Sequence, residues 1–282
     1  MTEEMAILVT VDENYLEPLE TMLFSLREHH LNQRMTIWLI HEEIPETKLE
    51  KLQQLIDSFG WQLAPVAVTQ YIFKEAPTVT RYPKEMYFRL LCGKILPKEV
   101  ERILYLDPDL LVINSLNPLW ELDLEGKLLA AASHRGVTNI TNSLNQLRLN
   151  TDHPYYNSGV MLIDLEKARE TISIEAINET IDRYGPYLLL PDQDVLNHLY
   201  GKYVKEVPDD VWNYDARKYV SYLAKSMGEY DIHQVMNQTA IVHFCGKPKP
   251  WKEKSDTRFT GLYLDYVHRL KHYKQQHKLV KE

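Results

Sequence analysis

The first part of the chain alternates short apolar runs with stretches whose apolar residues recur at helical spacing. Residues 6–11 and 35–40 are apolar runs of strand length, and residues 16–27 between them carry apolar side chains every three or four positions. A helix is predicted over residues 45–59 and a third strand over residues 62–68. This alternation of strand, helix and strand predicts an α/β fold.

The remaining apolar runs are short and mostly continuous rather than alternating with polar residues. They predict helices over residues 87–96 and 194–200 and strands over residues 102–106, 110–113, 128–132, 159–163 and 241–242. Continuous apolar runs are typical of strands buried on both faces, so we expect a central mixed, mainly parallel sheet flanked by helices. Ligands of such sheets bind beyond the carboxyl ends of the strands.

The strongest polar motif is the triplet Asp107, Pro108 and Asp109, which directly follows the apolar run that ends at Leu106. Proline fixes its own φ and restricts the residue before it, so the two carboxylates are held in a defined relative orientation. Two hard oxygen ligands at a strand end suit Mn²⁺ or Mg²⁺. A surface turn is the alternative interpretation, because aspartate and proline are both common in turns.

A second motif, residues 243–251, begins with His243 at the end of an apolar run and continues into a turn rich in glycine, proline and lysine. Imidazole is a ligand for Mn²⁺, and a lysine such as Lys249 suits a diphosphate. The alternative is a solvated loop that carries a half-buried histidine.

Two further motifs place polar side chains at a turn or at a helix start. Residues 191–194 open a predicted helix with Asp192 and Gln193 in its first turn, where an aspartate alternatively serves as a helix cap. Residues 155–159 lead into a predicted strand. Within them Asn157 is suited to hydrogen-bonding a sugar hydroxyl, and a simple turn is the alternative.

Taken together and in this order, the motifs resemble those of the family 8 glycosyltransferases, whose members include bacterial lipooligosaccharide galactosyltransferases and glycogenin. The resemblance extends over residues 7–251 and is carried by residues 10–15, 87–90, 104–109, 156–160, 192–194 and 243–251. It implies a GT-A fold, which is a Rossmann-like nucleotide-diphospho-sugar transferase domain, over residues 1–251. A C-terminal helical extension is then expected over residues 252–282.

The resemblance also implies which residues form the site. Asp107, Asp109 and His243 are the expected ligands of Mn²⁺, with Mg²⁺ as the alternative ion. The expected contacts of a UDP-sugar are Thr10, Asp12 and Asn14 at the uridine, Arg89, Asn157, Asp192 and Gln193 at the donor sugar, and Gly246 and Lys249 at the diphosphate, with Pro108 and Ser158 beside them. Segments 71–83 and 134–154 follow no pattern typical of an acceptor site.

The implied reaction moves a hexose, glucose or galactose, from a UDP-sugar to a saccharide, glycolipid or other hydroxyl acceptor with retention of the anomeric configuration. In a front-face substitution Gln193 stabilises the oxocarbenium, whereas a double displacement uses Asp192 as nucleophile. Two other functions stay open. One is a nucleotidyltransferase that makes nucleotide-sugars, although residues 11–18 lack the glycine typical of its phosphate loop. The other is a non-catalytic UDP-sugar binding protein.

Composition narrows the expected partners. The 282 residues include 32 basic and 40 acidic side chains, and the net charge of −8 gives no overall positive field for nucleic acid. Cys92 and Cys245 are isolated in the sequence, so a cytoplasmic location with reduced thiols is expected. No signal peptide or membrane-spanning apolar run is predicted.

Residues 263–282 predict a basic amphipathic helix that either contacts the inner face of the membrane weakly or packs on the main domain.

Overall fold

The computed structural model describes residues 4–68, 85–133, 140–252, 255 and 257–279. In chain order the elements are β1 (Met5–Thr10), α1 (Leu16–Glu28), β2 (Met35–His41), α2 (Glu46–Ser58), β3 (Gln62–Ala67), α3 (Glu85–Ile95), β4 (Arg102–Leu106), β5 (Leu110–Val112), α4 (Asn117–Trp120), β6 (Leu129–Ser133), α5 (Ile140–Leu149), β7 (Tyr156–Asp164), α6 (Leu165–Thr171), α7 (Ile174–Tyr184), α8 (Pro191–Val195), β8 (Val204–Val207), α9 (Asp209–Trp212), β9 (Tyr214–Asp215), α10 (Tyr219–Lys225), α11 (Ile232–Gln238), β10 (Ile241–His243) and α12 (Thr260–Gln276).

Seven strands form the main sheet in the order β3-β2-β1-β4-β7-β6-β8. Only β7 runs antiparallel to its neighbours β4 and β6, and the other strand pairs are parallel. A second sheet of three strands has the order β5-β10-β9, in which β10 is antiparallel to β5 and parallel to β9. The expected α/β fold with a mixed, mainly parallel sheet flanked by helices is confirmed.

The sheet separates two hydrophobic cores, and alternate residues of one strand enter different cores. Ile7 and Val9 of β1 belong to the larger core, whereas Leu8 between them belongs to the other. In β4, Leu104 packs in the larger core and Tyr105 in the other. Because side chains of a strand alternate between the two faces of its sheet, a strand covered on both faces is apolar throughout.

The predicted elements lie where the structure has them, within one or two residues for most boundaries. The helix predicted over residues 194–200 differs, because α8 begins at Pro191 and continues as a π-helix over Leu196–Tyr200. Strand β7 begins at Tyr156, so the motif 155–159 lies mainly in a strand and not in a turn. Of the segments without an acceptor pattern, residues 71–83 and 134–139 lie outside the described residues.

Helix α12 packs against the N-terminal part of the fold. Its tyrosines Tyr263, Tyr266 and Tyr273 are buried, and the Tyr273 hydroxyl donates to the carbonyl oxygen of Ser58 over 2.9 Å. The Lys274 ammonium forms an ion pair of 2.6 Å with Glu20 in α1. Within the described ranges, no helix has the length and apolar character that crossing a membrane requires. The division at residues 251 and 252 stays a prediction.

Candidate active site

Three potential metal ligands converge at the point where the two sheets meet. Asp107 follows β4, Asp109 precedes β5, and His243 is the last residue of β10. Antiparallel pairing sets His243 opposite Leu110, so the histidine lies beside Asp109 although 134 residues separate them in the chain. The site therefore depends on strand pairing between distant parts of the sequence.

The geometry of this cluster fits a divalent ion. One ligand atom from each of Asp107, Asp109 and His243 lies within 4.8 Å of the others. His243 Nε2 is 3.1 Å from Asp109 Oδ1 and 3.8 Å from Asp107 Oδ2. Neighbouring ligands of an octahedral ion with bonds of about 2.1 Å lie about 3.0 Å apart, so a small closure of the cluster completes such a site. The two carboxylate oxygens suit both Mn²⁺ and Mg²⁺, whereas the imidazole suits Mn²⁺ better than the oxygen-preferring Mg²⁺.

Charges around the cluster favour the ionised form of Asp109. Burial raises the pKa of Asp109, but the adjacent His243 and Lys249 outweigh burial and hold that pKa below its usual range. Burial lowers the pKa of His243, whereas Cys245 and Asp109 outweigh burial and raise it. A metal ion must therefore displace a proton from the imidazole, which makes its binding stronger as the pH rises.

A chain of amides orients the imidazole. The Asn213 Nδ2 group donates to Asn157 Oδ1 over 2.9 Å, which identifies Asn213 Oδ1 as the acceptor for His243 Nδ1 at 2.8 Å. The Nδ1 proton is thereby fixed, and Nε2 is directed at the two carboxylates. Such a hydrogen bond to the far nitrogen is typical of histidines that bind metals.

Arg89 connects the metal-ligand cluster with the motif at the start of α8. Its Nη1 lies 2.9 Å from Asp107 Oδ1, and its Nε lies 3.5 Å from Asp192 Oδ2. The guanidinium stacks over the ring of Tyr105, whose hydroxyl donates to Asp107 Oδ1 over 2.6 Å. Arg89 therefore links Asp107, a candidate metal ligand, with Asp192, a candidate sugar contact. Tyr105 contacts both Arg89 and Asp107.

Three of the four residues proposed at the donor sugar, Asn157, Asp192 and Gln193, form one hydrogen-bonded group together with Ser158. Asn157 Nδ2 and the Ser158 backbone N–H both donate to Gln193 Oε1, over 3.1 and 3.3 Å. The Ser158 hydroxyl donates to Asp192 Oδ2 over 3.0 Å. Burial raises the pKa of Asp192 above its usual range, and the charge of Arg89 opposes that rise only in part.

The residues proposed at the uridine lie at the carboxyl end of β1. The Thr10 hydroxyl is 3.2 Å from the Tyr105 hydroxyl, which links it to the metal-ligand cluster. Asp12 accepts from the backbone N–H groups of Asn14 and Tyr15 and caps the short helix that follows. Asp12 and Asn14 are exposed and line a cleft of about 320 Å³. The structure thus brings this group to the same sheet edge as the cluster.

The loop after β10 closes over the carboxylates. The Lys249 ammonium bonds to Asp109 Oδ2 and donates to the carbonyl oxygen of Phe244 over 2.9 Å. Gly246 has a φ of +69°, a conformation that a residue with a side chain rarely adopts. Pro108 is buried in the turn between the two aspartates. His243 is 3% exposed and Asp109 is 7% exposed, so the histidine is buried rather than half-buried and Asp109 does not lie in a plain surface turn, although residues 246–248 of the loop are exposed.

Several supporting residues carry no recognisable sequence signal. Asn197 is fully buried; its amide donates to the carbonyl oxygens of Tyr156 and Gln193, and its Oδ1 accepts from the Tyr156 N–H. Asp194 is fully buried and accepts a bidentate pair from Arg148 at 2.7 and 2.8 Å. The N-cap residue of α8 is Leu190 and not an aspartate, although the Asp194 carboxylate also accepts from the backbone N–H groups of Leu189 and Leu190 at the start of the helix.

Comparisons with known proteins identify the family to which the chain belongs. The profile of Glycosyl transferase family 8 matches residues 6–255. General stress protein A of Bacillus subtilis is 27% identical over 270 residues, which cover 94% of this chain and 93% of that protein. A lipopolysaccharide 1,2-glucosyltransferase of Escherichia coli is 26% identical over 252 residues, which cover 86% of this chain and 72% of that protein.

The fold also agrees with a solved structure. The crystal structure of the galactosyltransferase LgtC in complex with donor and acceptor sugar analogues has a TM-score of 0.78 to this chain at 23% identity, over 94% of this chain and 96% of that chain. The family profile spans most of the sequence and includes the carboxylates, the histidine and the amides assembled above. The chain therefore belongs to glycosyltransferase family 8 and is a glycosyltransferase of the GT-A fold.

Proposed function

We propose that the protein is a retaining transferase that moves glucose or galactose from a UDP-sugar to a hydroxyl group of a saccharide or glycolipid acceptor, with Mn²⁺ or Mg²⁺ bound at the site. The observation that carries the proposal is the cluster of Asp107, Asp109 and His243, with Lys249 beside it. Its donor set fits a divalent ion, and the adjacent ammonium and the Gly246 backbone suit a diphosphate.

Breaking the bond between the sugar and UDP builds negative charge on the departing diphosphate. A bound divalent ion supplies Lewis-acid stabilisation of that charge. The protein's part is to hold Asp109 ionised, to place Asp107 beside it and to aim His243 Nε2 at the same point. Lys249, which pairs with Asp109 at the edge of the cluster, would donate to the leaving group, where stabilisation of developing charge lowers the barrier most.

The donor sugar is proposed to lie over Asn157, Asp192 and Gln193. Asp192 Oδ2 already accepts from Ser158 and pairs with Arg89, which suits a carboxylate that positions its neighbours. This favours the front-face route, in which Gln193 stabilises the oxocarbenium. Retained partial activity in Asp192→Asn supports that route, whereas complete loss with intact UDP binding supports the double displacement.

A donor-hydrolysis assay tests the function. The purified protein is incubated with Mn²⁺ and a panel of UDP-sugars and other nucleotide-sugars, and release of the nucleotide is followed without acceptor. We expect slow turnover of UDP-glucose or UDP-galactose that is lost in Asp109→Ala and retained in Asp57→Ala, which removes an exposed carboxylate of α2. Absence of both turnover and Mn²⁺-dependent UDP binding contradicts the proposal and favours a nucleotidyltransferase.

The proposed location is the cytoplasm, with at most weak contact between α12 and a membrane. The aromatic stripe of the helix is buried in the protein, and Lys274 and Arg269 pair with acidic residues of α1. Little apolar surface is left for insertion among lipids, and basic residues alone give weak, salt-sensitive attraction. Co-sedimentation with phosphatidylglycerol vesicles tests this expectation, and strong binding that resists salt would overturn it.

A further inference from the structure

Arg217 lies beside the metal-ligand cluster although no sequence motif includes it. Strand β9 pairs in parallel with β10, and its last residue, Asp215, lies opposite His243. The pairing continues one residue further, where the Ala216 N–H donates to the His243 carbonyl oxygen over 2.9 Å. Strand pairing with a candidate metal ligand therefore fixes the backbone that carries Arg217.

The guanidinium of Arg217 is held in one orientation. Its Nε donates to Asp215 Oδ1 over 2.9 Å, and its Nη2 donates to Asp215 Oδ2 over 2.8 Å. Asp215 is 1% exposed, whereas the Arg217 side chain is 43% exposed. Such a two-point fork fixes the guanidinium plane, which leaves Nη1 as the nitrogen outside the fork.

Nη1 lies directly on the loop proposed to hold the diphosphate. A Cβ atom built on Gly246 would be only 2.3 Å from Arg217 Nη1, so the missing side chain of Gly246 makes room for the guanidinium. Gly246 follows His243 by three residues and precedes Lys249 by three. The loop thus carries a lysine three residues after Gly246 and contacts an oriented arginine at Gly246 itself.

Positive charge at this point exceeds what the local carboxylate neutralises. Asp215 is shared between Arg217 and Lys218, whose Nζ lies 3.5 Å from Oδ2. The other carboxylates of the site, Asp107, Asp109 and Asp192, pair with Arg89, Lys249 and His243. The surplus of one basic side chain over the single carboxylate of Asp215 suits an anionic ligand such as a diphosphate.

We propose that Arg217 is a second diphosphate-binding cation beside Lys249, whose Nη1 donates to a phosphate oxygen of the UDP-sugar and of the UDP product next to Gly246. This rests on the proposed UDP-sugar transfer. The Asp215 carboxylate acts as the positioning residue that keeps the guanidinium in place. Arginine suits phosphate binding here because its planar guanidinium is weakly hydrated. The guanidinium keeps further N–H donors free to point at a ligand while its Nε–Nη2 edge binds Asp215.

Calorimetric titration of UDP and of uridine in saturating MnCl₂ tests the proposal. The variants are Arg217→Ala and Arg217→Lys, and Arg269→Ala is the matched control, since Arg269 is 42% exposed and pairs with carboxylates on α12 and α1. In Arg217→Ala we expect UDP to bind about tenfold more weakly, because one charge-assisted hydrogen bond is lost. Arg217→Lys is expected to recover part of that loss, and Arg269→Ala to match the wild type.

The affinities for uridine and for Mn²⁺ distinguish a phosphate contact of Arg217 from a purely structural role of that residue. If Arg217 only satisfies the buried Asp215, its removal lowers the melting temperature and weakens UDP and uridine alike. A phosphate contact instead leaves the affinities for uridine and Mn²⁺ unchanged. Wild-type UDP affinity in Arg217→Ala overturns the inference but not the transferase proposal. Failure of the wild-type protein itself to bind UDP with Mn²⁺ overturns both.

Discussion

Replacing Gly159 by alanine is expected to disable the metal-ligand cluster without removing any ligand. A Cβ atom at this position would lie 2.4 Å from His243 Cε1 and 2.6 Å from Asp107 Oδ2. Ordinary contacts begin at 3.4 Å, so the imidazole must move by about 1.0 Å and the carboxylate by about 0.8 Å. Metal–ligand distances tolerate only about 0.2 Å, and Gly159 itself has no positive φ that would strain the backbone on substitution.

The expected result is at least a 100-fold loss of Mn²⁺ affinity. Changes that merely disturb the orientation of a ligand cost about 10- to 100-fold, and here two ligands are displaced directly. Overpacking also costs about 1–3 kcal/mol of unfolding free energy, so the fold is expected to persist. Calorimetric titration with MnCl₂ and a thermal melt give the two quantities.

A matched control isolates the steric effect. Gly261 in α12 has no atom within 4 Å of an added Cβ, so Gly261→Ala is expected to leave Mn²⁺ affinity unchanged and to stabilise the helix by about 0.5–1 kcal/mol. Wild-type Mn²⁺ affinity in a folded Gly159→Ala protein would refute the assignment of Asp107 and His243 as a shared metal site.

Three other predictions concern the supporting residues. Asn213→Ala removes the bond to His243 Nδ1 and should weaken Mn²⁺ binding about 10- to 100-fold in the same titration; an unchanged affinity would count against the orienting role. Asn197→Ala removes three hydrogen bonds of 2.7–2.8 Å and should cost about 3 kcal/mol in urea unfolding, whereas an unchanged midpoint contradicts the role as a tether. Burial raises the pKa of Asp215, but the hydrogen bond and charge of Arg217 outweigh burial and lower it to about 2. The ion pair of Asp215 and Arg217 therefore contributes stability above pH 3.8, and this stability is lost as the pH falls toward about 2. That contribution is about 2 kcal/mol and should be absent from the acid unfolding curve of Asp215→Asn.

The sequence predicted the framework because the strands are covered on both faces. In β1 and β4 consecutive residues enter two different cores, so the runs are continuously apolar and their ends are sharp. The polar residues at the ends of these runs, Thr10 as the last residue of β1 and Asp107 directly after β4, then lie at one edge of the sheet where β1 and β4 are parallel. Strand ends and the motifs attached to them are therefore local properties that a sequence can determine.

The supporting residues could not be predicted, because each acts through a partner that is remote in sequence. Asn213, Asn197 and Arg217 are single polar residues in ordinary contexts, and nothing local distinguishes a buried amide from an exposed one. The switch of α8 into a π-helix at Leu196 likewise depends on packing and not on a helix-breaking residue. The cap interpretation of Asp194 is likewise incomplete: its carboxylate accepts from the N–H groups of Leu189 and Leu190 at the helix start, but also from Arg148, 46 residues earlier.

By itself the sequence determined the α/β framework, the strand ends and the types of residue at those ends, because hydrophobic periodicity and side-chain chemistry are properties of short segments of the chain. Tertiary structure decided which of these residues meet. His243 reaches Asp109 only because β10 pairs with β5, and Arg217 reaches Gly246 only because β9 pairs with β10. A difference of one residue in either pairing would turn the side chains to the other face of the sheet, so the register of two short strands determines the geometry of the site.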